Sequence, residues 1–296
     1  MKDHYLDKFQ LGSSIPKWLP SNTQYLSITG SYSYGTNMSL SDCDIAGFCI
    51  PPRDYIFSQA AGYIDGFDNP PRFDEWQKHH VEYKDRNYDF KVFSIVKFFK
   101  LLSEGNPNSI DILYTDQDCI QLTTSIGEMV RKNRSLFLSK RIVPRFRGYA
   151  YAELKNVHNL KTGQRKELVE KFGFDTKNCS HVVRLLLECE QILATGDLNL
   201  RRDRELLKHI REGNRSLAEV QAYFDSKERY LLELEQKSLL PATPDMVKIK
   251  QLLLDCLESH YGSLSNIIDK KSSSDEVLRQ VYSILENNKN SFLEKN

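Results

Sequence analysis

The chain reads as an α+β protein, with a mixed α/β N-terminal half followed by an all-helical C-terminal half. Two observations predict this. Short runs rich in branched and aromatic residues, bounded by glycine or proline, are confined to the N-terminal half. From about residue 145 the apolar residues recur at helical spacing, and no strong strand signal returns. The length of 296 residues adds a prior of two domains, placed at 1–140 and 141–296.

Gln24–Thr29 (QYLSIT) is a short strand ending at Gly30. Asp44–Ile50 (DIAGFCI) is a second, stopped by Pro51-Pro52 because proline cannot continue a central ladder. Asn87–Phe93 (NYDFKVF) is a third. Ser94 is placed to cap an apolar helix, Ile95–Ser103, which Gly105 ends at C′. Between the second and third strands, the polar stretch of about 53–80 reads as an excursion or flexible loop. Its His79-His80 pair has no Cys or carboxylate at ligand spacing and reads as loop residues rather than metal ligands. Helical patterns then cover 146–170, 178–195, 202–212, 215–238, 243–262 and 274–288, separated by Gly173, Gly196-Asp197, Gly213-Asn214 and Pro241 to Pro244.

The composition excludes several classes. No apolar run approaches the roughly 18–20 residues that span a bilayer, and the start MKDHYLDKFQ lacks the apolar core of a secretory signal. Six scattered cysteines without a CxxC pair argue against a zinc ribbon or a disulfide framework, so a reduced, cytoplasmic protein without membrane association is expected. The net charge of +1 is segregated: residues 1–130 carry 11 basic and 17 acidic side chains, whereas 131–166 carry 11 basic and one acidic. Such a basic segment can concentrate a polyanion, or it can be the solvated face of a helix.

The stretch Gly30–Asp44, GSYSYGTNMSLSDCD, carries the chemistry. A strand ends in Gly30-Ser31, where a residue without Cβ allows close backbone approach to an anion. The Ser31 hydroxyl and nearby amides can donate to phosphate oxygens, and Gly35 and Thr36 extend this donor-rich surface. Asp42 and Asp44 follow two apart at the head of a strand, so both carboxylates share one face. Two like charges that close resist joint ionisation unless a cation neutralises them, and hard oxygen ligands favour Mg2+ or Mn2+. Asp89, in the third strand, is the candidate third carboxylate for a two-ion site.

Gly-Ser, Gly-Thr and Ser-Asp-x-Asp running into an apolar strand resemble the nucleotidyltransferase superfamily of DNA polymerase beta. Downstream, YDFKVFSIVKFFKLLSEGNPNSIDIL (88–113) looks like one subgroup, the RlaP-like nucleotidyltransferases linked to RNA repair. The resemblance implies a nucleotidyltransferase fold for residues 1–140, a third catalytic carboxylate at Asp89, and a nucleotide-binding Lys97. Lys97 can equally be a solvated helix residue, and Gly105–Asn108 a simple helix stop and turn. DTKNCSHVVRLLLECEQILATG (175–196) resembles the family's Lys-x-x-x-His-x-x-Arg-Leu-Leu helix. Lys177, His181, Arg184 and Glu188 fall within roughly 60° of arc on one helix face. They form either a nucleotide-binding stripe of Lys177, His181 and Arg184, or a solvated face stitched by an Arg184–Glu188 pair. LLKHIREGNRSLAEV (206–220) and SLLPATPD (238–245) extend the resemblance, which covers most of 25–255; the spacer Cys43 and the unaligned 53–86 insert depart from the pattern.

In the basic segment, Arg145, Arg147, Tyr149 and Lys155 mix cations with aromatics, as single-stranded RNA binding does, or as an interdomain helix packing its aromatics inward does. The expected function is therefore template-independent transfer of a nucleoside monophosphate from an NTP to an acceptor hydroxyl, with pyrophosphate released. Catalysis falls to Asp42, Asp44 and Asp89 with two Mg2+ or Mn2+ ions, and the acceptor is an RNA end. The alternatives are adenylylation of a protein or small molecule, or a toxin–antitoxin-type nucleotide-binding module. That last reading would be marked by loss of a carboxylate, and all three are in place.

Overall fold

The structure, a computed structural model, describes residues 4–9, 11–38, 41–59, 62–64, 66–157, 164–262 and 281. Apart from Val281, the helix expected at 274–288 lies outside the described residues. Strands β1 (Thr23–Thr29), β2 (Cys43–Cys49), β3 (Glu75–Tyr83), β4 (Arg86–Ser94) and β5 (Ile120–Thr123) form one sheet in the order β3-β4-β2-β1-β5. The pair β2/β4 is parallel and the other pairs are antiparallel, so the α+β mixed sheet expected from the sequence is present.

The helices are α1 (Leu19–Asn22), α2 (Arg53–Ile56), α3 (Ile95–Ser103), α4 (Pro107–Tyr114), α5 (Ser125–Lys132), α6 (Ile142–Lys155), α7 (Gln164–Phe172), α8 (Thr176–Thr195), α9 (Arg204–Arg211), α10 (Leu217–Lys237) and α11 (Met246–Tyr261). The chain divides into two units, residues 1–51 with 73–256 and residues 52–72 with 257–296. The whole sheet and the helices from α3 to α10 belong to the first. In the second, the rings of Phe57 and Tyr261 meet edge-on at 5.9 Å. Among the described residues no helix is long and apolar enough to cross a membrane, and all six cysteines are buried thiols.

Alternation along the strands sorts the two faces of the sheet. Cys43, Ile45, Phe90 and Val92 pack with Leu26, Trp76 and the N-terminal Leu6 and Phe9. The intervening residues face the helices: Phe48 and Phe93 stack on Phe98 of α3 at 5.1 and 6.0 Å. Asp44 and Asp89 stand on that same face, at the strand ends away from Phe48 and Phe93. A Cβ at Gly47 would collide with the Tyr25 carbonyl oxygen, so glycine is needed where β1 and β2 pass.

Helix α3 starts and stops where expected, with the Ser94 hydroxyl accepting from the Lys97 amide at 3.2 Å. Asp175 caps α8, accepting from the Asn178 amide at 3.0 Å, and Gly196 ends it at φ 68°. The stretch expected as one helix over 146–170 is two, α6 and α7. The first ends at Asn156, and the next residue, buried Val157, gives its carbonyl to the Asp175 amide at 3.0 Å.

Residues 75–83 are a strand, not loop, and His79 and His80 lie in it. Only Trp76 of this polar edge strand is buried, so its alternation is faint, and charged side chains are what an exposed sheet edge requires. The hairpin turn Lys84-Asp85 puts both residues at positive φ (49° and 60°) without the glycine or asparagine that would announce it. Helix α4 was also not anticipated: Asn106 caps it by accepting from the Ser109 amide at 3.0 Å, with Pro107 at its first position.

Candidate active site

The parallel register of β2 and β4 sets Asp44 directly beside Asp89. Asp42, exposed, precedes β2. Gly30, which ends β1 at φ +64°, lies so close to Asp44 that a Cβ there would collide with Asp44 Oδ2. Burial, then the charge of Asp89, push the Asp44 carboxyl up to about 6; Asp42 adds to this, while Lys177 and His79 oppose it. Lys177, on the first turn of α8, is thus an electrostatic neighbour of the strand carboxylates.

Asp89 is held from β3. The ladder between β3 and β4 shifts register between Lys78 and Val81, leaving His79 and His80 in a bulge. The His80 amide, at φ 55°, donates to Asp89 Oδ1 at 2.8 Å, and His79 Nδ1 lies 3.2 Å from Asp89 Oδ2. The donor chemistry fits a hard dication: carboxylates packed at a glycine cradle, with one acid shifted upward by burial and then by its like-charged neighbours. Among the described residues, no group of three or more His, Cys, Asp or Glu side chains is arranged so that it could hold a metal ion as the side chains stand.

After β1 the chain turns tightly. Tyr34 and Thr36 amides donate to the Gly30 and Ser31 carbonyls at 3.3 and 2.8 Å, and the Ser33 hydroxyl to Gly30 O at 2.9 Å. Two arginines hold this turn from residues 201–211. Arg201 Nε donates to Ser33 O at 3.4 Å, and Arg211 Nη1 to Thr36 O at 2.7 Å. Gly35 sits against the aliphatic stems of Arg204 and Arg201.

A cavity of about 830 Å³ brings most of the sequence-derived set together. Gly30, Ser31, Thr36, Asp42, Asp44 and Asp89 line it, as do Lys97, Tyr149, Lys177, His181 and Arg184. Gly35, Arg145, Arg147 and Lys155 do not. Lys97 Nζ pairs with Glu75 at 3.1 Å. Arg184 is buried: its Nη1 donates to Asp111 Oδ2 at 2.8 Å and to both oxygens of Glu188 at 2.9 Å. Its guanidinium also lies over the Tyr34 ring, whose hydroxyl donates to Asp111 Oδ2. The Arg184–Glu188 pair considered from the sequence therefore exists, but as a buried cluster and not a solvated face. Burial pushes the Asp111 and Glu188 carboxyls up against the pull of Arg184.

The remaining candidates are engaged locally. Arg145 pairs with Glu104 at 3.7 Å and Arg147 Nε donates to Glu228 at 3.1 Å. Lys155 Nζ lies 4.4 Å over the Tyr151 ring, and Tyr149 accepts a hydrogen bond from Asn106 at 2.9 Å. Sequence reasoning missed Glu75, Tyr34, Asp111 and Arg211. A carboxylate framed by Ile110 and Ile112 was the available sign of Asp111.

A mixed sheet setting two carboxylates side by side next to a Gly-Ser turn, with helices closing the cavity, is the layout of a nucleotidyltransferase-type protein. The sequence pattern of the RlaP family, the RNA repair pathway DNA polymerase beta family, matches residues 2–255, and the chain belongs to that family. Individual similarities are lower. An uncharacterized 38.9 kDa protein of the nrdC-mobD intergenic region of Enterobacteria phage T4 is 28% identical over 111 residues, 36% of this chain and 31% of that protein. The match thus spans about a third of that relative's length. The crystal structure of a nucleotidyltransferase-like protein from Exiguobacterium sibiricum is 9% identical, covering 80% of this chain and 74% of that one, with a TM-score of 0.28.

Proposed function

We propose that the chain is a metal-dependent, template-independent nucleotidyltransferase that moves a nucleoside monophosphate from an NTP to an acceptor hydroxyl, an RNA end. The adjacency of Asp44 and Asp89 across β2 and β4, beside the Gly30-Ser31 turn, is the observation that supports it most directly. Asp42, Asp44 and Asp89 would hold two Mg2+ or Mn2+ ions, which when bound supply an acidified acceptor hydroxyl and a neutralised triphosphate. Ser31 and the amides at the head of the turn grip the phosphates, with Lys177 and His181 closing from α8. The acceptor oxygen attacks the α-phosphorus and the bond from that phosphorus to the α,β-bridging oxygen breaks. Pyrophosphate leaves, and Asp89 draws the hydroxyl proton. Arg184, enclosed by Asp111 and Glu188, supports the floor of the site.

The RNA acceptor rests on the family's description and on Tyr149, an exposed aromatic lining the cavity. Incubation with each labelled NTP, magnesium or manganese and total cellular RNA tests the proposal. Label should enter RNA with the native chain and be lost with the Asp42→Ala/Asp44→Ala double variant. Transfer that survives that double substitution overturns the carboxylate assignment. Label entering protein or a small molecule instead replaces the RNA acceptor.

A further inference from the structure

The cations lining the cavity differ in what already neutralises them. Lys97 has Glu75 at 3.1 Å, and Arg184 has Asp111 and Glu188. Arg211, the last residue of α9, lines the same cavity, and among the described residues no carboxylate lies within ion-pair distance of it. It is partly buried, and burial pushes its pKa below the usual arginine value, opposed only by the more distant charge of Asp175. A guanidinium stays charged under such a shift and carries five donors in a planar fork.

Its place in the fold is fixed at both ends. Nη1 donates to the Thr36 carbonyl at 2.7 Å, holding the far end of the turn that begins at Gly30. Its own carbonyl accepts from the Thr176 hydroxyl at 2.9 Å, one residue before Lys177. A half-desolvated cation with no carboxylate in contact is costly until an anion arrives, and a phosphate matches its fork. We propose that Arg211 is a triphosphate-binding residue: it takes the phosphates distal to the reacting α-phosphorus and fixes the Gly30–Thr36 turn around them. This rests on the nucleotidyltransferase reading, which puts the α-phosphorus at the carboxylates and Gly30.

The test is calorimetric titration of Arg211→Gln and Arg211→Lys with inorganic tripolyphosphate, ATP and AMP. Glutamine removes the charge and, being shorter, the reach to the Thr36 carbonyl, whereas lysine retains the charge without the fork. For Arg211→Gln, tripolyphosphate and ATP affinity should fall roughly 10- to 100-fold, the scale of charge-assisted hydrogen bonds, with AMP affinity within about threefold of the native chain. Arg211→Lys should lie between the two, and is read alone if the glutamine variant does not fold. Equal losses for AMP and ATP would show a merely structural role, and unchanged affinities would remove Arg211 from the site; either overturns the inference. If the native chain binds tripolyphosphate through Arg211 yet labels no acceptor, this inference stands and the proposed function fails. If it transfers nucleotide while Arg211→Gln binds tripolyphosphate normally, the reverse holds.

Discussion

Asp44 and Asp89 are register partners on adjacent parallel strands, so two carboxylates share a partly buried site at one end of the sheet. The folded chain carries that repulsion as a cost to stability. Asp44→Asn should therefore raise the melting temperature in metal-free buffer by a few degrees, the scale of about 1 kcal/mol, while abolishing nucleotide transfer. Added magnesium should narrow the difference by stabilising the native chain alone. Thermal unfolding with and without the ion decides it; a variant less stable than the native chain in metal-free buffer would count against the repulsion.

The buried Arg184 answers to Asp111 and Glu188 at once. Removing it strands both carboxylates away from water. Arg184→Met should cost about 3–5 kcal/mol in urea unfolding, and Arg184→Lys should recover only part, since a shorter, non-planar ammonium cannot both reach the Asp111 and Glu188 oxygens and lie over the Tyr34 ring as the guanidinium does.

That cluster also sets a pH dependence. Burial raises the Glu188 and Asp111 carboxyls above their ordinary values of 4.5 and 3.8. A raised carboxyl contributes stability that is complete below its unfolded value and is lost as pH rises through its folded value. The native chain should therefore lose stability on going from about pH 5 to pH 8, and Glu188→Gln should flatten that slope. Melting temperatures across this range would check it, and a slope unchanged by the substitution would refute it.

Gly30 and Gly47 separate function from folding. A Cβ at Gly47 meets the backbone oxygen of Tyr25, which cannot move without parting β1 from β2, whereas one at Gly30 meets the side chain of Asp44. Gly47→Ala should accordingly be the more destabilising, at about 3 kcal/mol or more. Gly30→Ala should cost about 1–3 kcal/mol for its positive φ and displace Asp44, lowering kcat at least tenfold. Parallel unfolding and initial-rate measurements distinguish the two.

The site was legible where chemistry sits in short, local patterns. Gly30-Ser31 and Asp42-x-Asp44 stand within one turn and one strand end, and Asp89 within a run of aromatic and branched residues. What escaped depended on contacts between distant segments. Strand β3 is nearly all polar, because as an edge it buries only Trp76, and its turn uses Lys84-Asp85 at positive φ. Asp111 and Tyr34 become partners of Arg184 only when α4, α8 and the turn after β1 come together, across 73 residues in the case of Asp111. The Arg147–Glu228 pair, 81 residues apart, is likewise invisible to local charge counting.

The arginines behind the Gly30–Thr36 turn bear on how separable the two halves of the chain are. A fragment ending at residue 140 would keep Asp42, Asp44, Asp89 and the Gly-Ser dipeptide, yet lose Arg201 and Arg211, which anchor the Ser33 and Thr36 carbonyls. Grafting the sheet onto a foreign helical half would fail for the same reason, since the new partner must present two guanidinium groups to those two carbonyls. The N-terminal half is thus not a portable cassette, and sequence changes near residues 201–211 must be compatible with a turn more than 160 residues earlier.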